Sequence, residues 1–192
     1  MTDATFAPPF VTERLVLRSI VESDRAAHAQ LFSRLEVLRF LYTDLMDEEQ
    51  MSAHFERRLA VGPPTEGEWR NLAVERDGVL LGEVGLTLVS SAHRCYEVGY
   101  VFSPEFAGLG FATEATRALI DVAFMQLGAH RVVARLDARN DASRRLLERL
   151  GLRHEAHFRS NEFVKGEWTD ELVYAVLDEE WPALSARGRA RQ

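Results

Sequence analysis

Two glycines one residue apart, Gly108 and Gly110, stand in the segment Pro104 to Glu114 (PEFAGLGFATE), directly before a long run of apolar residues at helical spacing. Glycine has no Cβ, so its backbone can approach a ligand closely. The N-terminus of a helix adds unpaired N–H groups and the positive end of the helix dipole. Together these features predict a backbone cradle for a phosphate-bearing cofactor, although a plain strand-to-helix turn would use the same glycines. A P-loop would need Gly-Lys-Ser/Thr after the second glycine, and this chain has Gly110-Phe111-Ala112, which argues against ATP. A Rossmann fingerprint would need a third glycine or alanine where Thr113 stands, which argues against NAD.

The loop must be held between a strand and a helix, and the pattern supplies both. Arg94 to Phe102 reads as a strand that Ser103-Pro104 ends. From Gly110, the residues Phe111, Ala115, Ala118, Leu119, Val122, Ala123 and Leu127 recur at helical spacing, and Gly128 is placed as a C′ glycine. Arg131 to Leu136 reads as a strand. Asn140 then caps a second helix, with Ser143 at its N3 position, Leu146, Leu147 and Leu150 on one face, and Gly151 at its end.

Upstream, Arg14 to Ile20 alternates as a strand, Ser23-Asp24 opens a helix through Ala27, Leu31 and Leu35, and Asp47 with Gln50 forms a capping box for a helix from Glu48 to about Ala60. Asn71 to Arg76 and Val79 to Val89 flank Asp77-Gly78, the signal of a type I′ hairpin. Downstream, Leu152 to Phe158 and Leu172 to Leu177 are strand candidates around a polar stretch containing Lys165-Gly166. The fold class is α/β or α+β, a mixed sheet flanked by helices. Residues 1–11 read as an N-terminal extension, 12–182 as a single domain and 183–192 as a frayed C-terminal tail.

Composition narrows the function. At 192 residues, with 46% hydrophobic and 28% charged residues, the chain is expected to fold as one soluble unit with no membrane span. Its acidic, non-apolar start points to the cytoplasm. A net charge of -7 argues against binding nucleic acid through phosphates. Cys95 is the single cysteine, and the six histidines show no ligand spacing such as HExxH, so no metal is expected. Trp69 and Trp168 receive no role.

The loop, read as Glu105-Phe-Ala-Gly108-Leu-Gly110, resembles the acetyl-CoA loop of the GNAT superfamily, Gln/Arg-x-x-Gly-x-Gly/Ala, with Glu105 in place of the usual first residue. Further segments match in order: Thr12 to Arg18, Glu97-Val-Gly-Tyr100, Gly110 to Ala115, Asn140-Asp-Ala-Ser143 with Leu150-Gly151-Leu152, and Val164 to Asp170 with Tyr174. They resemble the RimJ/RimL-like branch, which includes ribosomal-protein N-terminal acetyltransferases. The resemblance spans Thr12 to about Trp181.

It implies a mostly antiparallel, twisted GNAT-like sheet with splayed central strands. It also implies acetyl-CoA as co-substrate: the backbone of Val101, Phe102 and Ser103 would pair with the pantetheine, and Gly108, Leu109, Gly110, Phe111, Ala112 and Thr113 would hold the pyrophosphate. Asn140 would bond the pantetheine, and Ser143 would lie near the sulfur as an acid. Acetyl transfer needs a neutral amine, so a carboxylate base is expected. Glu97 is the candidate and Glu83 the reserve; an exposed, salt-bridged Glu97 is the bland alternative. Many members place a tyrosine acid on the Asn140 helix, and this helix has none.

The expected reaction is direct attack of a primary amine on acetyl-CoA in a ternary complex. The acceptor is a protein N-terminus or a small molecule such as an antibiotic or polyamine. A non-catalytic acyl-CoA-binding module is the competing class, and exposed sheet edges allow a homodimer.

Overall fold

A computed structural model describes residues 6–189. Its centre is an eight-stranded sheet in the order β1-β2-β3-β4-β5-β6-β8-β7. The strands are β1 (Phe10–Val11), β2 (Val16–Ser19), β3 (Trp69–Arg76), β4 (Val79–Ser90), β5 (Cys95–Phe102), β6 (Arg131–Asp137), β7 (Arg153–Val164) and β8 (Glu167–Leu177). All pairings are antiparallel except that of β5 with β6. The helices are α1 (Arg25–Phe32), α2 (Leu35–Leu38), α3 (Glu48–Glu56), α4 (Phe111–Met125), α5 (Asp141–Leu150) and α6 (Trp181–Arg189). This is the mixed, mostly antiparallel α/β arrangement that the sequence predicts.

Two layers cover the sheet. On one face Leu86, Tyr96 and Val98 pack with Ala115, Leu119 and Ile120 of α4 and Leu147 of α5 in the main core. On the other face a smaller cluster joins Ile20, Phe55 of α3 and Ala73 of β3, while Leu31, Phe32 and Leu38 hold α1 against α2. The alternation of β4 and β5 decides which side chains go where.

Local signals hold where the physics is local. Asp77 (φ 50°) and Gly78 (φ 79°) both take the positive φ of a type I′ turn. Asp47 and Gln50 form the expected capping box, and Asn140 Oδ1 accepts from Ser143 N at 3.0 Å. The expected helix through Leu35 breaks at Ser33–Arg34. The sheet includes Phe10–Val11, inside the stretch read as an extension, because β2 offers these residues an open edge. Of the stretch read as a frayed tail, residues 183–189 continue α6 and 190–192 lie outside the described residues; at the start of α6 Trp181 is buried in the core, and its Nε1 donates to Asp121 Oδ1 at 2.7 Å.

The late strands are the largest difference. They run through the polar stretch for 12 and 11 residues around the Lys165-Gly166 turn. β7 lies at the sheet edge, where backbone pairing with β8 holds it and most of its side chains face water, so it carries no apolar alternation. Among the described residues, no helix is long and apolar enough to cross a membrane.

Candidate active site

The site begins with a gap in the sheet. β5 pairs with β6 only over Cys95, Tyr96 and Glu97, and beyond Glu97 the two strands diverge while β5 stays paired with β4 as far as Phe102. A cavity of about 770 Å³ occupies the opening and is lined from both faces of the sheet.

The face toward α1 and α3 carries carboxylates. Glu83 sits opposite Val101, and Thr87 opposite Glu97. Directly opposed residues share a face, so Glu83 and Glu97 look into the same cavity about 13 Å apart along the strand direction. Glu97 meets one cation, Arg135 Nε of β6, at 3.6 Å. Burial raises its carboxyl above the ordinary glutamate range, Arg135 opposes that rise, and Glu171 adds to it. Arg135 is shared, since its Nη1 lies 3.0 Å from Glu171 Oε2. Tyr42 donates to Glu171 Oε1 at 3.4 Å, and burial followed by Glu171 raises its hydroxyl pKa.

Glu83 is held quite differently. It is 2% exposed, with Oε1 2.5 Å from His28 Nδ1 and Oε2 3.3 Å from Arg58 Nε. Both oxygens are engaged by the protein. Sequence reasoning placed Glu83 and Glu97 together as base and reserve; only the tertiary contacts separate them.

The opposite face carries hydroxyls. Tyr100 stands three residues from Glu97 and so points to the other side of β5. Its hydroxyl is 2.7 Å from Ser143 Oγ at the start of α5. Burial is the main reason its pKa rises to about 12, and the Ser143 contact opposes it, so at neutral pH the phenol keeps its proton and can donate to Ser143. α5 itself carries no tyrosine, and the phenol that meets its Ser143 comes from β5. The odd spacing in Glu97-Val-Gly-Tyr100 signalled its face, but nothing in the sequence signalled its partner.

The glycine segment leads into α4, and both glycines take left-handed backbone. Gly110 is the N-cap of α4 at φ 81°, a left-handed conformation that favours glycine. A Cβ there would lie 3.3 Å from Arg14 Nη2. Gly108 also has a positive φ (78°), and a Cβ on it would meet nothing within 4 Å, so the loop backbone is open to a ligand. Phe111, Ala112 and Thr113 form the first turn of α4, whose N–H groups have no intrahelical acceptor. Arg149 Nη2 reaches Thr113 Oγ1 at 3.5 Å, and Leu109 is exposed.

Ser103 N bonds Leu81 O at 2.9 Å, extending the β4 pairing past Val101 and Phe102. The unusual Glu105 is matched by a cation from another element: Arg34 donates to Glu105 at 2.7 Å and to Ser103 Oγ at 3.2 Å. Trp69, given no role by sequence, lines the cavity and packs so closely on Gly99 that a Cβ there would be 3.0 Å from its ring. Among the described residues, no group of three or more His, Cys, Asp or Glu side chains is arranged to hold a metal ion.

Known proteins share this architecture. Residues 14–153 match the model of the acetyltransferase (GNAT) domain. The uncharacterised N-acetyltransferase YoaA of Bacillus subtilis (strain 168) is 31% identical over 174 residues, spanning 88% of this chain and 97% of that protein. The crystal structure of a GNAT-family acetyltransferase from Bacillus anthracis superposes with a TM-score of 0.78 at 28% identity, covering 88% of this chain and 97% of that one. Spermidine N(1)-acetyltransferase of Escherichia coli (strain K12) is 26% identical over 114 residues, 59% of this chain and 61% of that protein. A sheet whose β5 and β6 part after Glu97 and a helix opened by a glycine N-cap, together with a family match over most of its length, make this chain a member of the GNAT family of N-acetyltransferases.

Proposed function

We propose that this enzyme transfers the acetyl group of acetyl-CoA to a primary amine by direct attack in a ternary complex, with Glu97 as the base and Ser143, backed by Tyr100, as the acid. The observation that carries this reading is one cavity with a raised carboxylate at Glu97 on one face of the parted sheet and the Tyr100–Ser143 pair on the other.

The residues suit a CoA ester. The edge of β5 that turns away from β6, over Val101 and Phe102 and on to Ser103, offers strand-like pairing to a pantetheine arm, and Asn140, at the head of α5, lines the cavity with Val101. Gly108 to Thr113 offer backbone N–H groups and a helix dipole to a pyrophosphate. Acetyl-CoA supplies the acyl group as a reactive thioester.

Glu97 takes one proton from the incoming ammonium, directly or through a water, so that the nitrogen lone pair can attack the carbonyl carbon. Backbone N–H groups at the end of β5 donate to the carbonyl oxygen as it gains negative charge. As the C–S bond breaks, Ser143 donates its proton to the departing sulfur and accepts one from Tyr100, and the second proton of the attacking nitrogen leaves through solvent water, which returns a proton to the Tyr100 phenolate and leaves a neutral amide. Glu83 serves less well as a base, since His28 and Arg58 already hold its oxygens.

The acceptor we favour is the N-terminal amine of a protein, on the strength of the RimJ/RimL-like segments. One observation favours a second reading, a polyamine. Glu97, Glu162 and Glu171 all line the cavity, and a wall of carboxylates attracts a chain with several ammonium groups. Thiol release from acetyl-CoA in the presence of a peptide with a free N-terminus, spermidine or an aminoglycoside tests the choice. Turnover with the peptide alone supports the first reading and with spermidine alone the second. Release with none of them, where acetyl-CoA still raises the thermal midpoint, would favour a binding module.

A further inference from the structure

One row of side chains crosses the sheet on the acceptor side of the cavity. Trp69 of β3 pairs with Thr87 of β4, and Thr87 with Glu97 of β5. Directly opposed residues share a face, so an indole, a hydroxyl and the base stand side by side, and all three line the cavity. The reaction above uses only Glu97. Thr87 is 6% exposed, and its buried Oγ1 has no hydrogen-bond partner. A buried hydroxyl left unpaired is costly, so one that borders a cavity points to a polar group that enters it.

Two glycines make room for the indole. Gly85 and Gly99 oppose each other on β4 and β5, on the same face as this row. Both lie in strands and neither has a positive φ, so what they supply is space. A Cβ at Gly99 would lie 3.0 Å from both Cη2 and Cζ3 of Trp69 and 4.0 Å from Cζ2; one at Gly85 would lie 3.1 Å from Asn71 Nδ2. The outer edge of the six-membered ring therefore rests on β5 two residues from Glu97. An edge contact leaves the faces of the ring off the strand, and Trp69 is 37% exposed.

Trp168 packs with Phe163, and Trp181 with Phe124 and Arg117. Among the described residues, no aromatic ring or guanidinium stacks on Trp69. The two arginines that line the cavity are held elsewhere, Arg58 by Glu83 and over Phe32, Arg135 between Glu97 and Glu171. An indole face is electron-rich and is the aromatic surface that attracts a cation most strongly, above all away from water.

We infer that Trp69 is a specificity-determining residue, and that the acceptor enters as an ammonium lying against the indole face before Glu97 takes its proton. The inference rests on the reading of this face as the acceptor side. It adds a requirement that the base alone does not impose: the acceptor binds as a cation, and a neutral molecule of the same shape binds less well.

The test separates the charge of the ring from its bulk. Full-length protein made with tryptophan fluorinated once or twice on the six-membered ring keeps the indole in place and drains charge from its face. For whichever of spermidine or a free-N-terminus peptide is acetylated, kcat/KM for the amine should fall with each fluorine, by up to about tenfold, while KM for acetyl-CoA holds. The same series in Trp69→Phe, where Trp168 and Trp181 still carry the fluorines, should be flat. A flat series in the wild type, or an equal slope in Trp69→Phe, overturns the proposal.

Binding is decided without turnover. With CoA in place of acetyl-CoA, either amine should change the tryptophan fluorescence of the wild type but not of Trp69→Phe. By calorimetry Trp69→Leu should bind the amine less tightly than Trp69→Phe, which keeps an aromatic face; equal affinities would mean that only bulk matters and overturn the contact. So would an unchanged wild-type signal, or the same change in Trp69→Phe, whether or not either amine is acetylated. A fluorescence change that depends on Trp69, with no turnover, sustains the contact and counts against the transfer reading instead.

Discussion

Glu83 and Glu97 occupy adjacent strands, face the same cavity and are the same residue type, yet the protein treats them in opposite ways. Glu83 has a partner on each oxygen, His28 and Arg58. Glu97 has one arginine at 3.6 Å, which it shares with Glu171, and burial raises its carboxyl. A carboxylate whose lone pairs are already occupied contributes to structure and aligns its neighbours. One that is desolvated and under-compensated is ready to take a proton. Position on the sheet cannot distinguish the two; the elements packed above them can.

The sharpest way to break this contrast is to remove each carboxylate in turn. Glu97→Gln should lower kcat by about 10²- to 10⁴-fold, the usual contribution of a general base, as read by thiol release from acetyl-CoA. Glu83→Gln should cost far less in kcat but lower stability by about 1–3 kcal/mol, because buried donors lose a charged partner; chemical denaturation measures this. A larger kcat loss in Glu83→Gln would reverse the assignment.

Next in size is the acid side. Ser143→Ala and Tyr100→Phe should each reduce kcat, by about tenfold or more for the serine and less for the tyrosine. The double variant should lose little beyond Ser143→Ala alone, since contacting residues that act in series are not additive. Independent, multiplying losses would separate Tyr100 from the reaction.

A smaller effect is expected from the cradle. Gly110→Ala forces a Cβ into left-handed backbone near Arg14, which should cost about 1 kcal/mol of stability and raise KM for acetyl-CoA more than KM for the amine. An unchanged KM for acetyl-CoA would count against the loop as the pyrophosphate site.

The mildest test is the response to pH. With its pKa raised, Glu97 is fully ionised only above the ordinary glutamate range, so kcat/KM should climb on an acid limb displaced upward, and Glu97→Gln should abolish that limb. Histidine linkage has its own sign. His54 binds a proton in the unfolded chain below its ordinary value of 6.5 but resists it in the folded chain down to about 3. Stability from this group is therefore present above pH 6.5 and lost as pH falls toward 3. Thermal midpoints should drop between pH 7 and 5, and less steeply in His54→Phe.

Much of the architecture is legible in the chain because its signals are local. The Asp77-Gly78 turn, the Asp47 and Asn140 caps, the apolar stripe from Phe111 and the glycines at 108, 110 and 151 each act within a few residues of themselves. The pattern marks β7 and β8 only in part, because an edge strand such as β7 is held by backbone pairing and needs no apolar alternation. Of the site, the glycine loop, Asn140, Ser143 and both glutamates are sequence-legible. Tyr100 as the partner of Ser143, Arg34 opposite Glu105, and His28 with His54 beneath Glu83 are not, since each joins residues at least 26 positions apart.

By itself the sequence determined which residue types were present and which helices and turns they begin and end, because capping, periodicity and positive φ are short-range properties of the chain. Only the tertiary structure decided that β5 parts from β6 after Glu97, that a tyrosine of β5 meets the serine of α5, and that one of two equivalent glutamates is occupied while the other is left under-compensated. Burial and charge pairing depend on what packs against a residue, and that is set by elements far away in the chain.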